Sequence, residues 1–293
     1  GRPLGFHHLD DNTLVVCDSL KGLLEVDISP RGADSGDGGR VQVLTNEVSR
    51  PQQPERHHDA LIRYANDLDI SANKRAVYFT SSTNHGVVAY DPAGNYYDTM
   101  KSFLLTWLSG DVSGRVLRYD YESKRTTVLL DNLFYANGVA LSADESFLLV
   151  VETVGLRVLK LYLTGEKKGS TEIFIDNLPA FPDGVTRSAD GKSFLISLVA
   201  PLSPLLPLSK NRYARCLLGW AMAGPLKKLF APLIKRFGCV MRVDAGTGRA
   251  TDMYLDEGGT AVATISSAVD DGQGRLFFGN LGGDFVSYFQ ESP

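Results

Sequence analysis

The stretch "ANGVALSADESFLLVVET" (residues 136–153) decides the fold. It opens on the polar pair Asn137-Gly138, alternates in strand fashion, turns at Ser142-Ala143-Asp144 and continues as an apolar strand. A carboxamide at the first inward position of a buried strand needs a partner, because an unpaired buried amide costs about 1–3 kcal/mol. Two other stretches, "ANDLDISANKRAVYFTSS" (residues 65–82) and "PDGVTRSADGKSFLISLV" (residues 182–199), align with the first essentially without gaps. Each has a polar pair, an alternating strand, a Ser-Ala-Asp/Asn turn and an apolar strand. Weaker copies are "PLGFHHLDDNTLVVCDS" (residues 3–19) and "ATISSAVDDGQGRLFFGN" (residues 263–280), which makes five.

After most copies comes a third strand, seen in "GLLEVDIS", "GRVLRYDYESKRTTVLLDNL", "RVLKLYL" and "CVMRVDAGTGRATDMYLD". The second and last of these continue through a turn into a fourth. Short alternating strands between Asp/Gly/Ser turns, recurring at intervals of roughly 45–80 residues, predict an all-β chain in which a four-stranded antiparallel sheet repeats in a ring. That is a β-propeller, and residues 1–293 are read as one propeller domain.

The composition fits. With 43% hydrophobic residues the chain can bury a large core. A net charge of -4 with no Lys/Arg-rich tail argues against nucleic acid as a partner. Cys17, Cys216 and Cys239 lie far apart in no metal-ligand spacing, and a Cys216–Cys239 bridge is left open. The chain opens on "GRPLGFHH" without a signal-type apolar region.

In a propeller the first strand of each blade lines the central channel. By register Asn66, Asn137 and Asp183 hold the same place in three blades, so three oxygen-bearing side chains are expected at one end of the channel. Two carboxamide oxygens and a carboxylate suit a hard cation, calcium above all. The plainer alternative is that these residues only cap the turns that begin their strands.

The run "GRVLRYDYESKRTTVLLDNLFYANGVALSADESFLLVVETVGLRVLKLYLTGEKKGSTEIFIDNLPAFPDGVTRSADGKSFLISL" (residues 114–198) resembles the strictosidine synthase-like family, and more distantly the gluconolactonase and paraoxonase enzymes. The resemblance implies a six-bladed propeller. The opening "GRPLGF" resembles the start of the family's second blade, so the first blade is expected to be missing or incomplete here. In the metal-dependent hydrolase relatives a divalent ion is held by Asn and Asp at these strand starts plus a Glu from the first blade. Asn66, Asn137 and Asp183 match three of those positions, and the Glu would lie in the missing segment. The resemblance thus implies a calcium-dependent or other divalent-metal hydrolase of small-molecule esters or lactones. Strictosidine synthase itself condenses an amine with an aldehyde, using a Glu in its last blade. That position falls at Ile265, which cannot transfer a proton, so the Pictet–Spengler alternative is disfavoured. A third reading, from another class, is a non-catalytic scaffold braced by the metal.

His85, in "TSSTNHG", is placed in a loop on the channel face, where an imidazole suits a general base; the plainer reading is a partly exposed loop histidine. Glu152 and Asp18 occupy the matching loop position in other blades and are expected to bond the loop backbone. Trp107 precedes a third strand, where the family places pocket aromatics and where core packing is an equal alternative. The pairs His7-His8 and His57-His58 cannot chelate as units, since adjacent residues in a strand point to opposite faces.

Residues 200–238, "APLSPLLPLSKNRYARCLLGWAMAGPLKKLFAPLIKRFG", interrupt a channel-face loop as a helical insertion. Leu226, Leu229, Phe230, Leu233 and Phe237 at helical spacing, with Lys227, Lys228, Lys235 and Arg236 opposite, predict an amphipathic lid helix. Residues 213–238 also offer a peripheral contact with an anionic membrane. No apolar run is long enough to span a bilayer. The family resemblance implies an endomembrane, secretory or membrane-anchored location.

Overall fold

A computed structural model describes residues 1–30, 39–49, 60–89, 97–203, 206–207, 211–223 and 236–291. The chain packs as two compact units, residues 1–106 with 112–136 and residues 107–111 with 137–293. In the first unit β1 (Pro3–Asp10), β2 (Thr13–Asp18), β3 (Gly22–Asp27) and β4 (Val41–Thr45) form an antiparallel sheet in chain order. The second sheet runs β5 (Ala65–Ile70), β6 (Ala76–Ser81), β9 (Gly114–Asp120) and β10 (Arg125–Leu133). Between β6 and β9 lie the two-residue pair β7 (Val88–Ala89) and β8 (Tyr97–Asp98) and the helix α1 (Thr99–Ser109). Leu23, Leu68, Val77, Phe79 and Leu117 fill the core of this unit.

In the second unit β11 (Ala136–Leu141), β12 (Phe147–Glu152), β13 (Arg157–Tyr162) and β14 (Thr171–Ile175) form one sheet. The next holds β15 (Ala180–Arg187), β16 (Ser193–Pro201), β17 (Gly238–Asp244) and β18 (Ala250–Asp256), with helix α2 (Arg212–Ala223) inserted after β16. A three-stranded sheet follows, β19 (Ile265–Asp270), β20 (Arg275–Asn280) and β21 (Ser287–Gln290). The run "FLISLV" of β16 is apolar at every position but Ser197 because both faces of its sheet are covered. Phe194, Ile196 and Leu198 enter one core cluster with Leu149 and Val151, while Leu195 enters another with Val240 and Leu276.

The fold is thus all-β, a β-propeller with five blades among the described residues and helical insertions. Its five first strands, β1, β5, β11, β15 and β19, coincide with the five sequence copies. Four blades have a fourth strand, where the sequence shows only two. The additional ones, β4 and β14, are short and half-exposed, so their apolar alternation is weak.

The Ser-Ala-Asp/Asn turn has a physical reason. In "SADESF" the Ser142 hydroxyl donates to Asp144 and closes the hairpin by accepting from Phe147 N, 3.1 Å. Ser71 does the same with Asn73 and Ala76, and Ser188 with Asp190 and Ser193. Three residues after each serine the backbone turns left-handed, at Lys74 (φ 58°), Glu145 (φ 55°) and Gly191 (φ 71°). One bonding pattern recurs in three blades.

Most of the expected lid helix, residues 224–235, lies outside the described residues, as do His57 and His58. The insertion instead shows α2, capped by Asn211, whose side-chain oxygen accepts from Tyr213 N and Ala214 N at 2.9 and 3.3 Å. His7 and His8 lie exposed on β1. All three cysteines are free thiols, Cys216 exposed and Cys239 buried.

Candidate functional site

In four of the first strands, β1, β5, β15 and β19, the opening residues sit at a β-bulge or register shift. In β1 the residues Leu4 and Gly5, in β5 Asn66 and Asp67, and in β15 Asp183 and Gly184 face a single partner residue, while β19 carries a register shift at Ser266. A bulge inserts an unpaired residue and re-aims its side chain, so it frees a polar group from the alternation of the strand. In β5 the bulge backbone is satisfied by Thr80, whose hydroxyl accepts from Asp67 N at 3.2 Å.

The glycines of these pairs are dictated by close approach. A Cβ on Gly138 would collide with the backbone nitrogen of Val185, and one on Gly184 with the backbone oxygen of Ser266. In the second unit, therefore, the starts of neighbouring first strands touch backbone to backbone. In the first unit Gly5 plays this part against Asn66 and Asp67. The residue before each glycine is brought close to its counterpart on the next strand, and this is how Asn137 meets Asp183.

Asn137 is 6% exposed. Its Nδ2 donates to Thr153 Oγ1 at 3.1 Å and to Asp183 Oδ1. Asn66 repeats the first of these bonds, donating to Ser82 Oγ at 2.9 Å. The hydroxyl sixteen residues downstream thus satisfies the amide in both blades. At the same offset from Asp183 stands Val199, so the third blade offers no hydroxyl, and the carboxylate takes its hydrogen bond from Asn137 instead.

Asp183 retains some accessible surface, yet the strands crowd it closely enough that desolvation pushes its pKa up to about 7. The hydrogen bond from Asn137 opposes that rise without cancelling it. Among the described residues Asn137 is the carboxylate's hydrogen-bond partner, and no Lys, Arg or His forms an ion pair with it. Opposite the bulge, Ser197 Oγ is fully buried with no hydrogen-bond partner among the described residues. The desolvated Asp183 carboxylate and the adjoining Asn137 carboxamide carry hard oxygens of the kind a divalent cation takes, so these residues fit one. Among the described residues, no group of three or more His, Cys, Asp or Glu could hold a metal ion. Any cation here would rest on amide and hydroxyl oxygens around a single carboxylate.

The other expected residues have local partners. His85 lies half-buried in the loop after β6. Its backbone carbonyl accepts from Ser102 of α1, and its N–H donates to Thr83 Oγ1 at 3.1 Å. Asp18 bonds the loop backbone as expected, accepting from Leu20 N and Lys21 N at 2.9 Å. Glu152 is 3% exposed and pairs with Arg157, because a carboxylate buried that deeply needs a counter-charge. Trp107 is buried edge-to-face against Phe181, 6.0 Å between centroids, two residues before Asp183. Ile265 packs into an apolar cluster with Leu195 and Val240, which leaves no acid at that strand start.

The family model for strictosidine synthase matches residues 66–166. The adipocyte plasma membrane-associated protein of Rattus norvegicus is 30% identical over 291 residues, covering 98% of this chain and 69% of the relative. Strictosidine synthase-like protein 10 of Arabidopsis thaliana is 32% identical, covering 96% of this chain and 67% of that protein. The chain belongs to the strictosidine synthase-like family. It spans 61% of the length of the adipocyte plasma membrane-associated protein of Salmo salar, to which it is 31% identical. Among solved structures, a gluconolactonase from Xanthomonas campestris superposes with a TM-score of 0.53 at 16% identity, over 92% of this chain and 65% of that one. Regucalcin from Agrobacterium tumefaciens, a calcium-binding protein, superposes with a TM-score of 0.53 at 13% identity, over 96% of this chain and 70% of that one. At such identities the superpositions speak to fold alone.

Proposed function

We propose that the chain is a divalent-cation-dependent hydrolase of small esters or lactones, with calcium as the cation and Asn66, Asn137 and Asp183 as its ligands. The observation that carries this reading is Asp183, a carboxylate held without a cationic partner among the described residues and pushed to a pKa of about 7 beside the Asn137 amide. A fold shared with a gluconolactonase and with a calcium-binding regucalcin supports it. When bound, the cation supplies Lewis-acid polarisation of a carbonyl and a more acidic water. The chain's own residues divide the remaining work. Asn137 orients the Asp183 carboxylate through its amide hydrogen bond, and Thr153 fixes the rotamer of Asn137. Trp107 and Phe181 form an apolar wall two residues from the carboxylate. His85 is the proposed general base, held by a loop anchored to α1.

The relatives named as plasma membrane-associated support a membrane or secretory location for the native protein, with peripheral contact through residues 213–238. Among the described residues no helix is long and apolar enough to cross a membrane.

The test is hydrolysis of aryl esters and lactones with calcium present or chelated. Turnover should require calcium, and calcium affinity should rise with pH up to about 7 as Asp183 loses its proton. Asp183→Asn should remove both turnover and calcium binding. Calcium binding without turnover on any ester or lactone would leave a metal-braced scaffold. Turnover that survives chelation refutes the proposal.

A further inference from the structure

Helix α2 presents its apolar side to solvent, the reverse of an ordinary surface helix. Tyr213, Leu217 and Trp220 recur at i, i+4 and i+7 and are 74%, 65% and 66% exposed. Cys216 is exposed on the same stripe. On the other side Ala214 and Leu218 are half-buried and Ala221 is buried, with Gly219 against Leu108. The Arg215 guanidinium reaches Gly110, the left-handed residue that ends α1, where carbonyl groups at a helix C-terminus favour a cation. The helix is therefore seated within its unit by one face, and the outward face holds two aromatic rings and a leucine.

Charge identifies what this face meets. Residues 200–238 contain seven Lys or Arg and no Asp or Glu, in a chain whose net charge is -4. Arg212 is exposed and lies over the Tyr213 ring, 5.3 Å from its centroid, and Arg236, where the described chain resumes, is exposed too. A stripe of Trp, Tyr and Leu flanked by cations without acids matches the boundary of an anionic bilayer. There, aromatic rings sit at headgroup depth and basic side chains pair with lipid phosphates and carboxylates.

We infer that α2 is an interfacial membrane helix, inserting Tyr213, Leu217 and Trp220 into the headgroup region of an anionic leaflet. The inference sharpens the membrane contact in the proposed function and rests on that part of it. It is independent of the hydrolase chemistry, because lipid binding is read in chelator while turnover is read separately on a soluble ester.

Cys216 provides the probe, since Cys17 and Cys239 are buried and Cys216 is the exposed thiol. The chain labelled there with an environment-sensitive fluorophore is titrated with phosphatidylserine-containing vesicles and with pure phosphatidylcholine vesicles, both in EDTA. The expected result is a blue-shifted, brighter emission with the anionic vesicles, weakened by added salt and absent with phosphatidylcholine. Trp220→Glu and Leu217→Glu, at exposed positions that do not disturb packing, should each weaken partitioning about tenfold or more. No spectral shift with anionic vesicles would overturn the inference, and so would binding that both substitutions leave intact. A shift that appears without lipid and grows with protein concentration would also overturn it, since the face would then join two copies of the chain.

Discussion

Replacing Asp183 by Asn should make the calcium-free protein more stable and the calcium-loaded protein less so. The carboxylate is free to ionise in the unfolded chain at its ordinary value of 3.8, whereas in the folded chain its pKa is about 7. Between those values the folded state holds a proton that the unfolded state has lost, so stability falls as pH rises from about 4 to about 7 and then levels. At roughly 1.4 kcal/mol per pKa unit, a rise of about three units costs ~4 kcal/mol above neutrality. The carboxylate keeps some contact with solvent, which reduces the cost to about 2 kcal/mol. An asparagine preserves the shape, accepts the same hydrogen bond from Asn137 and carries no charge to desolvate. In chelator at pH 8, Asp183→Asn should therefore raise the melting midpoint by roughly 4–8 °C, while at pH 4 the two proteins should melt together. With saturating calcium the order should reverse, because the wild-type chain gains binding energy that the variant lacks. The assay is thermal unfolding followed by circular dichroism across that pH range, with and without calcium. Parallel pH profiles for the two chains in chelator would refute the assignment of a desolvated carboxylate at residue 183.

Further expectations follow from the close strand contacts and the turns. Gly138→Ala and Gly184→Ala should each cost about 1–3 kcal/mol or more in urea unfolding, since a methyl group there meets backbone that cannot swing aside. Gly165→Ala, in open space at φ 72°, should lose only about 1 kcal/mol for its left-handed backbone. Removing the turn hydroxyl in Ser142→Ala or Ser188→Ala should lower stability by about 1–2 kcal/mol each, measured by urea melts. Glu152→Gln breaks the pair with Arg157 and should cost about 2 kcal/mol, because Arg157 is 36% exposed and returns partly to water.

The blades were legible because their signals are local. Serine, alanine and an acid or amide in a fixed order close the hairpin through bonds spanning five residues, so a short window contains the whole cause. The glycine after Asn137 is different, because its cause is the backbone of Val185 on the next first strand, which no short window contains. The bulges were not legible, since a register shift depends on the partner strand and leaves no mark beyond a small or polar residue. The pairing of Asn137 with Asp183 could have been anticipated in part from Val199, which breaks the hydroxyl pattern of Ser82 and Thr153. The outward apolar face of α2 escaped because "RYARCLLGWAMA" has apolar residues around much of its circumference, and burial of one side is decided by contacts with Leu108 and Gly110.

The repeated bulge also bears on how such a protein changes its chemistry over time. Leucine, asparagine and aspartate stand at corresponding points in β1, β5 and β15, and the local register is the same in all three. The strand backbone is indifferent to which of them is present. Each of these three strands therefore works as a socket, in which one codon change can swap a ligand, an acid or an inert side chain while the backbone register of the bulge stays in place. A lineage built on such sockets can lose one reaction and acquire another without passing through an unfolded intermediate sequence.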